Sequence, residues 1–234
     1  MKIDIITIFP GMFEPVLNES IIKRAQAKGK ITIAVHDLRE YSRDKHKKID
    51  DRPFGGGAGM VMCPEPIFKA LRCLKSRTTR VILLSPQGRR LNQGIAKEFA
   101  KEKHLILICG HYEGIDERVR IHLVDDEISI GDFVLTGGEL PAMVFVDCLT
   151  RLIPGVLGDK NSLKFESFEG NLLEYPHYTR PARYAGMSVP KVLLSGDHKA
   201  IAVWRHLHAV KNTEEKRPDL LPHVKTKKKG VTHG

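Results

Sequence analysis

The 234 residues suffice for one large domain or two small ones with a buried core. Apolar residues make up 41% and charged residues 28% of the chain, as in an ordinary soluble globular protein, and no apolar run is long enough to span a bilayer. The formal net charge of +10 favours a polyanionic partner such as nucleic acid. The four widely spaced cysteines lack a C-x-x-C pair, which predicts reduced core thiols and a cytoplasmic protein.

The chain begins with an alternation of strands and helices. Residues 3–9 form a β-branched run closed by Pro10-Gly11, and residues 31–35 form a second such run. Between them, apolar residues recur at helical spacing from Phe13 to Ala25, and Gly29 supplies a stop. The order β-α-β predicts a parallel sheet covered by helices.

A polar loop at residues 39–52 leads into the glycine cluster of residues 53–60. A phosphate-binding loop would need Gly-Lys-Ser/Thr at its end, and a dinucleotide fingerprint would need a third glycine where Met60 stands. The remaining interpretation is a loop poor in side chains that lies against a nucleic-acid backbone or a splayed base. An ordinary glycine loop is the alternative.

Three later strands each break into a glycine-bearing turn; a helix predicted at residues 64–74 precedes the first strand, and one at 91–103 lies between the first and the second. Glycine permits a positive φ and lets a ligand approach the main chain closely. We therefore expect a pocket that grips a flat ligand, although the residues alone do not identify it. The strands are residues 80–84, 105–109 and roughly 127–135, the turns follow at Ser85–Gly88, at Gly110 and at Gly131 to Gly138, and a helix starts at Gly138. Four acids accompany these turns: Glu113, Asp116, Asp132 and Glu139.

The second part of the chain has a different composition. Residues 155–190 mix glycines, prolines, aromatics and both charge signs, which indicates a partly mobile interdomain segment. A helix capped near Ser195-Gly196-Asp197 should follow, with Ile201, Trp204 and Leu207 on one side. A further helical turn is expected at residues 218–221, and residues 225–234 read as a basic, disordered arm.

Six motifs follow one another along the chain: DRPFGGG at residues 51–57, SPQG at 85–88, GHYEGIDER at 110–118, SIGDFVLTGGELP at 129–141, PHYTRP at 176–181 and LLSGDH at 193–198. In this order they resemble one family, the bacterial tRNA (guanine-N1)-methyltransferases, which act on guanine 37 beside the anticodon. The resemblance runs essentially end to end.

The resemblance implies a knotted methyltransferase of the SPOUT class that uses S-adenosylmethionine and works as a homodimer. The implied fold is α/β: a parallel-sheet domain with a deep trefoil knot at residues 1–158, a linker at 159–181, and a small helical tRNA-binding domain with a basic tail at 182–234. We expect the segment at residues 155–181 of one subunit to close over the pocket of the other.

The resemblance also carries site residues onto this sequence. The donor contacts would be Leu84, Ser85, Pro86, Gln87, Gly110, Tyr112, Glu113, Ser129, Ile130, Gly131, Asp132, Phe133, Val134, Leu135, Gly137, Gly138 and Pro141. The expected RNA contacts are Arg52, Gly56, Gly57, Gly59, His177, Tyr178, Arg180, Ser195, His198 and Arg205.

The same resemblance assigns catalysis to Glu166 as general base and Arg151 as the cation that stabilises charge developing on O6 of guanine. The family pattern leads us to expect aspartate at position 166 and tyrosine at position 83, where this chain has Glu166 and Leu83. The family is associated with magnesium, which Glu113 and Glu166 would help to place, but no dedicated metal-ligand spacing is present. Two alternatives stay open: a knotted RNA 2′-O-methyltransferase, and a non-catalytic RNA-binding protein that retains the donor pocket.

Overall fold

The computed structural model describes residues 1–158 and 165–221. The chain divides into two compact units, Met1–Gly158 and Asp159–Gly234. The expected basic arm at residues 225–234 and the first part of the expected linker, residues 159–164, lie outside the described residues.

The strands of the first unit are β1 Lys2–Thr7, β2 Thr32–Asp37, β3 Asp50–Asp51, β4 Val61–Met62, β5 Thr79–Arg90, β6 His104–Cys109 and β7 Asp126–Ser129. Five of them form a parallel sheet of order β2-β1-β6-β5-β7, and β3 and β4 form a separate antiparallel pair. The predicted α/β alternation with a parallel sheet is confirmed. The helices are α1 Glu14–Leu17, α2 Ser20–Ala27, α3 Pro64–Leu74, α4 Gln93–Phe99, α5 Glu117–Leu123 and α6 Glu139–Leu152.

Two apolar clusters cover the two faces of the sheet, because successive residues of a strand point to opposite sides. In β6, Leu105 and Leu107 belong to the cluster that also holds Phe99 of α4 and Phe145 of α6. Ile106 and Ile108 belong to the other cluster, with Ile67 of α3. The sheet is therefore buried on both sides, and ligand access is left to the ends of its strands.

Three sequence predictions about elements are corrected. The helix expected from Phe13 to Ala25 is two helices, α1 and α2, because the chain turns between them and Ser20 has φ +49°. The strand expected to end at Leu84 continues to Arg90. The last strand, expected to reach Leu135, ends at Ser129, because Gly131 at φ +154° takes the chain out of the sheet.

The cysteine prediction is correct only in part. Cys109 is buried, Cys63 and Cys148 are half-buried, and all are free thiols as expected. Cys73 is exposed, because it lies on the solvent side of α3, opposite the face that carries Ile67 and Leu71.

The second unit contains a small hairpin and one long helix, α7 His198–Lys216. The hairpin strands are β8 Arg183–Tyr184 and β9 Met187–Ser188. The predicted cap is confirmed, since the Asp197 carboxylate accepts hydrogen bonds from the backbone N–H groups of Lys199 and Ala200 at 2.9 and 3.0 Å. The helical turn expected near residue 218 is a 3₁₀ helix, Pro218–Leu220. Leu207, expected on the packed side of α7, is 61% exposed, and Ala209 and Thr213 are buried instead.

Candidate active site

A cavity of about 310 Å³ lies at the carboxyl ends of β6 and β7, beside residues 83–87 within β5. We call it the three-turn cavity, because each of the three glycine-bearing turns contributes to its wall. It is lined by Leu83, Leu84, Ser85, Pro86, Gln87, Gly110, His111, Tyr112, Glu113, Gly114, Ile115, Arg120, Ile128, Ser129, Ile130, Gly131, Phe133, Val134, Leu135, Thr136, Gly137, Gly138 and Pro141. The mixture of apolar side chains and main-chain polar groups suits a flat ligand with a polar end.

The first turn is an excursion inside β5. Leu84 and Arg89 both pair with Ile128 of β7, so the residues between them loop out of the sheet. At Gly88 the chain returns to the sheet so close to β7 that a Cβ there would lie 2.4 Å from the carbonyl carbon of Glu127. The side chain of Gln87 accepts a 2.6 Å hydrogen bond from Arg120, which fixes it at the cavity wall.

The second turn follows β6 and presents Tyr112 to the cavity at φ +58°. The ring of His111 packs edge-on against Tyr112 on one side and Phe9 on the other, with centroids 4.9 and 5.0 Å apart. Burial raises the pKa of Tyr112, with Asp50 adding to the effect, so the phenol is protonated and uncharged at neutral pH. Tyr112 thus offers a neutral aromatic wall with a hydroxyl donor.

The second turn is also hydrogen-bonded to the segment that follows the glycine loop of residues 55–59. The N–H of Glu113 donates to the carbonyl of Met60 at 3.0 Å, and the N–H of Met62 donates to that of Gly114 at 2.9 Å. A Cβ at Gly59, which has φ +83°, would collide with the Glu113 side chain at 2.5 Å. The expected RNA-binding loop and a wall of the cavity are therefore one connected backbone structure.

The third turn closes the cavity and starts α6. The N–H of Gly138 donates to the carbonyl of Gly110 at 2.8 Å, which ties the third turn to the second. A Cβ at Gly138 would lie 2.7 Å from the Cα of Cys109, so only glycine fits there without a backbone shift. Ser129 holds the start of the turn through hydrogen bonds with Gly131 in both directions.

Glu139 and Asp132, two of the acids singled out in the sequence, have different environments. Glu139 is 2% exposed, and its carboxylate accepts a 2.7 Å hydrogen bond from the Thr7 hydroxyl. It lies 4.0 Å from Nδ1 of His111, a buried nitrogen that has no hydrogen-bond partner among the described residues. The side chain of Asp132 is 85% exposed and pairs with Arg90 at 3.2 Å, outside the cavity wall.

The cavity wall therefore contains every residue expected to contact the donor except Asp132. Sequence reasoning missed several wall residues, including His111, Arg120 and Thr136. His111 and Thr136 lie inside the motifs at residues 110–118 and 129–141, so the motifs could have identified both as wall residues. Arg120 lies just beyond a motif, and only its hydrogen bond to Gln87 places it at the cavity.

The two expected catalytic residues belong to different units, and each is described within its own. Arg151 is half-buried in the last turn of α6. Glu166 is half-buried in the second unit, where it lines a cavity of about 170 Å³ together with Glu169, Tyr175 and Arg205. The guanidinium of Arg205 lies 4.8 Å from the centre of the Tyr175 ring, a cation–π contact.

The expected RNA-binding residues lie in both units. In the first unit, Gly56 and Gly57 have positive φ and nothing within 4 Å of a notional Cβ, so the loop tip is open to solvent beside the exposed Arg52. In the second unit, His177 bonds to Glu174 at 2.7 Å, and the Tyr178 ring lies 6.4 Å from that of Trp204. Three others are exposed on the same unit: Arg180, His198 and Arg205. Ser195 is exposed and accepts a hydrogen bond from the N–H of Asp197, so its hydroxyl shapes the start of α7.

Residues 1–158 and 165–221 contain neither a metal-binding cluster nor a membrane-spanning helix. No group of three or more His, Cys, Asp and Glu side chains there is arranged to hold a metal ion. No helix in that part of the chain has the length and apolar character that a membrane span requires.

Comparison with known proteins identifies the family. The family model described as tRNA (Guanine-1)-methyltransferase TrmD matches residues 1–223. The chain belongs to this family. The tRNA (guanine-N(1)-)-methyltransferase of Dictyoglomus turgidum is 58% identical over 221 residues, which cover 94% of this chain and 90% of that protein. Its counterpart in Staphylococcus epidermidis is 59% identical over 222 residues, covering 94% and 91%. The resemblance found in the motifs is therefore confirmed for the tRNA (guanine-1)-methyltransferase family.

Proposed function

We propose that this protein transfers a methyl group from S-adenosyl-L-methionine to N1 of guanine 37 in tRNA, and that it does so in the cytoplasm as a homodimer. Family membership supports the reaction class, since relatives that are 57–59% identical bear the name tRNA (guanine-N(1)-)-methyltransferase. The observation that carries the proposal for this chain is the three-turn cavity, whose wall holds nearly all the residues expected to contact the donor.

The cavity fits S-adenosylmethionine chemically. Leu84, Ile130 and Leu135 offer apolar surface for an adenine ring, and close-packed glycines such as Gly138 leave main-chain groups accessible. Glu113 adds a carboxylate for a cationic amino-acid end. When bound, the donor supplies an electrophilic methyl group on a sulfonium sulfur. The resemblance also associates turnover with magnesium, for which we propose no protein ligands.

The proposed architecture follows the resemblance. Residues 1–158 would form the donor-binding domain with a deep trefoil knot, residues 159–181 a linker, and residues 182–234 a helical tRNA-binding domain with a basic tail. Two features support a knotted arrangement of the three turns: the excursion at Ser85–Gly88 inside β5, and the hydrogen bond from Gly138 to Gly110 between turns distant in sequence.

The proposed chemistry assigns one task to each catalytic residue. Guanine N1 carries a proton that must leave as the nitrogen attacks, and the Glu166 carboxylate would accept it. Negative charge then develops toward O6, and the Arg151 guanidinium would stabilise it. A positioned general base is worth about 10²- to 10⁴-fold in rate.

The test is transfer of labelled methyl from S-adenosylmethionine to a tRNA transcript with guanine at position 37, run beside a transcript with adenine there. We expect label on the guanine transcript only, and a rate reduced by about 10²- to 10⁴-fold in Glu166→Gln. Glu169→Gln is the matched control, since Glu169 lines the same cavity of the second unit, and it should keep most of the activity.

Donor binding measured by calorimetry separates the possible causes of a loss. If Glu166→Gln binds the donor normally but transfers slowly, Glu166 acts in catalysis. Equal loss of donor binding would make Glu166 structural and contradict its assignment as the base. Transfer to neither transcript by the wild-type protein would contradict the proposed substrate.

A further inference from the structure

A groove of about 370 Å³ on the first unit, outside the three-turn cavity, is surrounded by positive charge. It lies between α3 and the start of α5, with Phe68 of α3 in its wall. Four cations contribute to it: Arg43, Lys69, Arg72 and Arg118. We call this feature the basic groove. Arg118 ends the motif at residues 110–118, but no residue of the groove is among the expected site residues.

Two of the four cations already have carboxylate partners. Arg43 pairs with Glu65 at 3.3 Å, and Arg118 pairs with Asp116 through two hydrogen bonds of 2.8 Å. Lys69 and Arg72 have no carboxylate within ion-pair distance among residues 1–158 and 165–221, so their charges are uncompensated there. The groove therefore has an excess of positive charge: Glu65, which also lines it, pairs with Arg43, and no described carboxylate neutralises Lys69 or Arg72.

The basic groove is connected to the glycine loop of residues 55–59 by a short stretch of chain. The chain leaves that loop through β4, Val61–Met62, and enters α3 at Pro64 directly afterwards. The carbonyl of Met62 accepts a 3.0 Å hydrogen bond from the N–H of Asp116, the residue whose side chain holds Arg118. The strand β4 therefore connects the glycine loop to α3 and, through the hydrogen bond of Met62, to the segment that carries Arg118.

We propose that the basic groove binds phosphate groups of the tRNA backbone, extending the contact made by the glycine loop. The inference rests on the proposed function for the identity of the RNA. Arginine matches a phosphate with its forked donors, and lysine provides a point charge. The groove is open and Arg43 and Arg118 are 79% and 65% exposed, so it suits a passing backbone better than an enclosed small ligand. Such contacts position an RNA without reading its sequence.

The experiment measures binding of the guanine-37 tRNA between 50 and 200 mM salt for the wild type and for Lys69→Ala/Arg72→Ala. Each phosphate contact contributes about 0.7 to 0.9 to the slope of log affinity against log salt, so two lost contacts should reduce the slope by about 1.4 to 1.8. The ratio of wild-type to variant affinity should then change roughly tenfold across that salt range. At saturating tRNA, kcat should be unchanged, and the loss should appear in KM.

Two controls make the result specific. Lys101→Ala/Lys103→Ala removes two exposed lysines beside the amino end of β6, at the opposite edge of the sheet from the three turns, and should keep the wild-type slope. Lys69→Arg/Arg72→Lys keeps both charges and should stay close to the wild type. An unchanged slope in Lys69→Ala/Arg72→Ala, or an equal drop in the Lys101/Lys103 variant, would overturn the proposal.

The proposed function and the proposed role of the basic groove can be contradicted separately. If the wild type methylates guanine 37 but the slope does not respond to Lys69→Ala/Arg72→Ala, only the groove proposal fails. If the wild type binds tRNA with the expected slope change but labels no guanine 37, the substrate assignment fails and the groove stands as an RNA contact. A variant that binds normally and loses kcat would also contradict phosphate binding by the groove.

Discussion

At the scale of single residues, the carboxylate of Asp4 is a buried charge outside the active site that needs several hydrogen-bond partners. It lies in the amino-terminal half of β1, an interior strand of the sheet, and it is 1% exposed. It bonds to His36 at 2.8 Å, His104 at 2.6 Å and Lys2 at 2.8 Å, and His104 bonds in turn to Thr79 at 2.6 Å. Burial alone raises the pKa of Asp4, but these hydrogen bonds outweigh it and lower that pKa below 3.8.

We expect Asp4→Asn to lower the free energy of unfolding by roughly 2–3 kcal/mol at pH 7, as for a lost hydrogen bond to a charged group. Because the folded pKa is below the unfolded one, the contribution of Asp4 is complete above the unfolded pKa and disappears as pH falls through the folded pKa. The part of the difference between wild type and variant that comes from the Asp4 carboxylate should therefore shrink as pH falls below about pH 4. Urea unfolding followed by circular dichroism at fixed protein concentration measures it.

Asp132→Asn is the matched control for that experiment, since its side chain is exposed and its pair with Arg90 is on the surface. It should change the free energy of unfolding by less than about 0.5 kcal/mol at every pH. A difference between wild type and Asp4→Asn that grows as pH falls below about pH 4 would contradict the assigned direction of the pKa shift.

At the scale of elements, the three turns depend on how closely their backbones approach one another. Gly138 is the N-terminal cap of α6, and its Cα faces the backbone of Cys109 and Gly110 at the end of β6. Gly88 approaches the backbone of Glu127 just as closely within the sheet. Neither contact can relax by rotating a side chain, because the neighbouring atoms are backbone. The cavity wall is therefore rigid where the second and third turns meet.

We expect Gly138→Ala to reduce the free energy of unfolding by about 1–3 kcal/mol, since the added methyl must displace backbone. Affinity for S-adenosylmethionine should fall by at least tenfold, because a backbone shift moves Gly110 and Gly137, which both line the cavity. Calorimetric titration of the donor gives the affinity, and thermal unfolding gives the stability.

Gly11→Ala is the control for this substitution, because a Cβ at Gly11 meets nothing within 4 Å and the residue has no positive φ. It should bind the donor like the wild type. Normal donor binding by Gly138→Ala would show that this turn tolerates movement, contrary to a rigid wall.

At the scale of the whole molecule, an apolar surface of the first unit adjoins the three-turn cavity. Phe9, Met12 and Leu140 line a shallow cavity that also includes His111 and Gly137, two residues of the three-turn wall. These three side chains are 40–50% exposed, and Val144, one helical turn after Leu140, is 47% exposed. An apolar surface in this position favours burial against another protein surface. It supports the proposed homodimer with the active sites beside the subunit interface.

We expect Val144→Glu to produce a monomer and to abolish most methyl transfer, because a charge would be buried in the proposed interface. Sedimentation velocity measures the size, and the labelled-methyl assay measures the activity. Ile121→Glu, a change at an isolated position of α5 that is 66% exposed, should keep the dimer and the activity. A Val144→Glu monomer with full activity would contradict shared sites, and an intact Val144→Glu dimer would contradict this surface as the interface.

The sequence by itself determined the features that depend on residues close together in the chain. The alternation of β-branched runs and amphipathic helices predicts the α/β class, Asp197 is recognisable as a cap, and the glycines mark each of the three turns. It also predicts most residues of the cavity wall, although through the family motifs and not through periodicity. These signals are local, because the periodicity of a strand or helix and the residue types that favour a turn are recognisable within a few residues.

The tertiary structure alone decided which of these local features meet. Arg120 reaches the cavity through a hydrogen bond to Gln87, 33 positions earlier in the chain, whereas Asp132 leaves it to pair with Arg90. Leu84 and Arg89 pair with the same residue of β7, which turns an expected strand end into an excursion within a longer strand. The excess charge of Lys69 and Arg72 is likewise visible only when their surroundings are known. Such outcomes depend on contacts between distant segments, whose energies no short stretch of sequence contains.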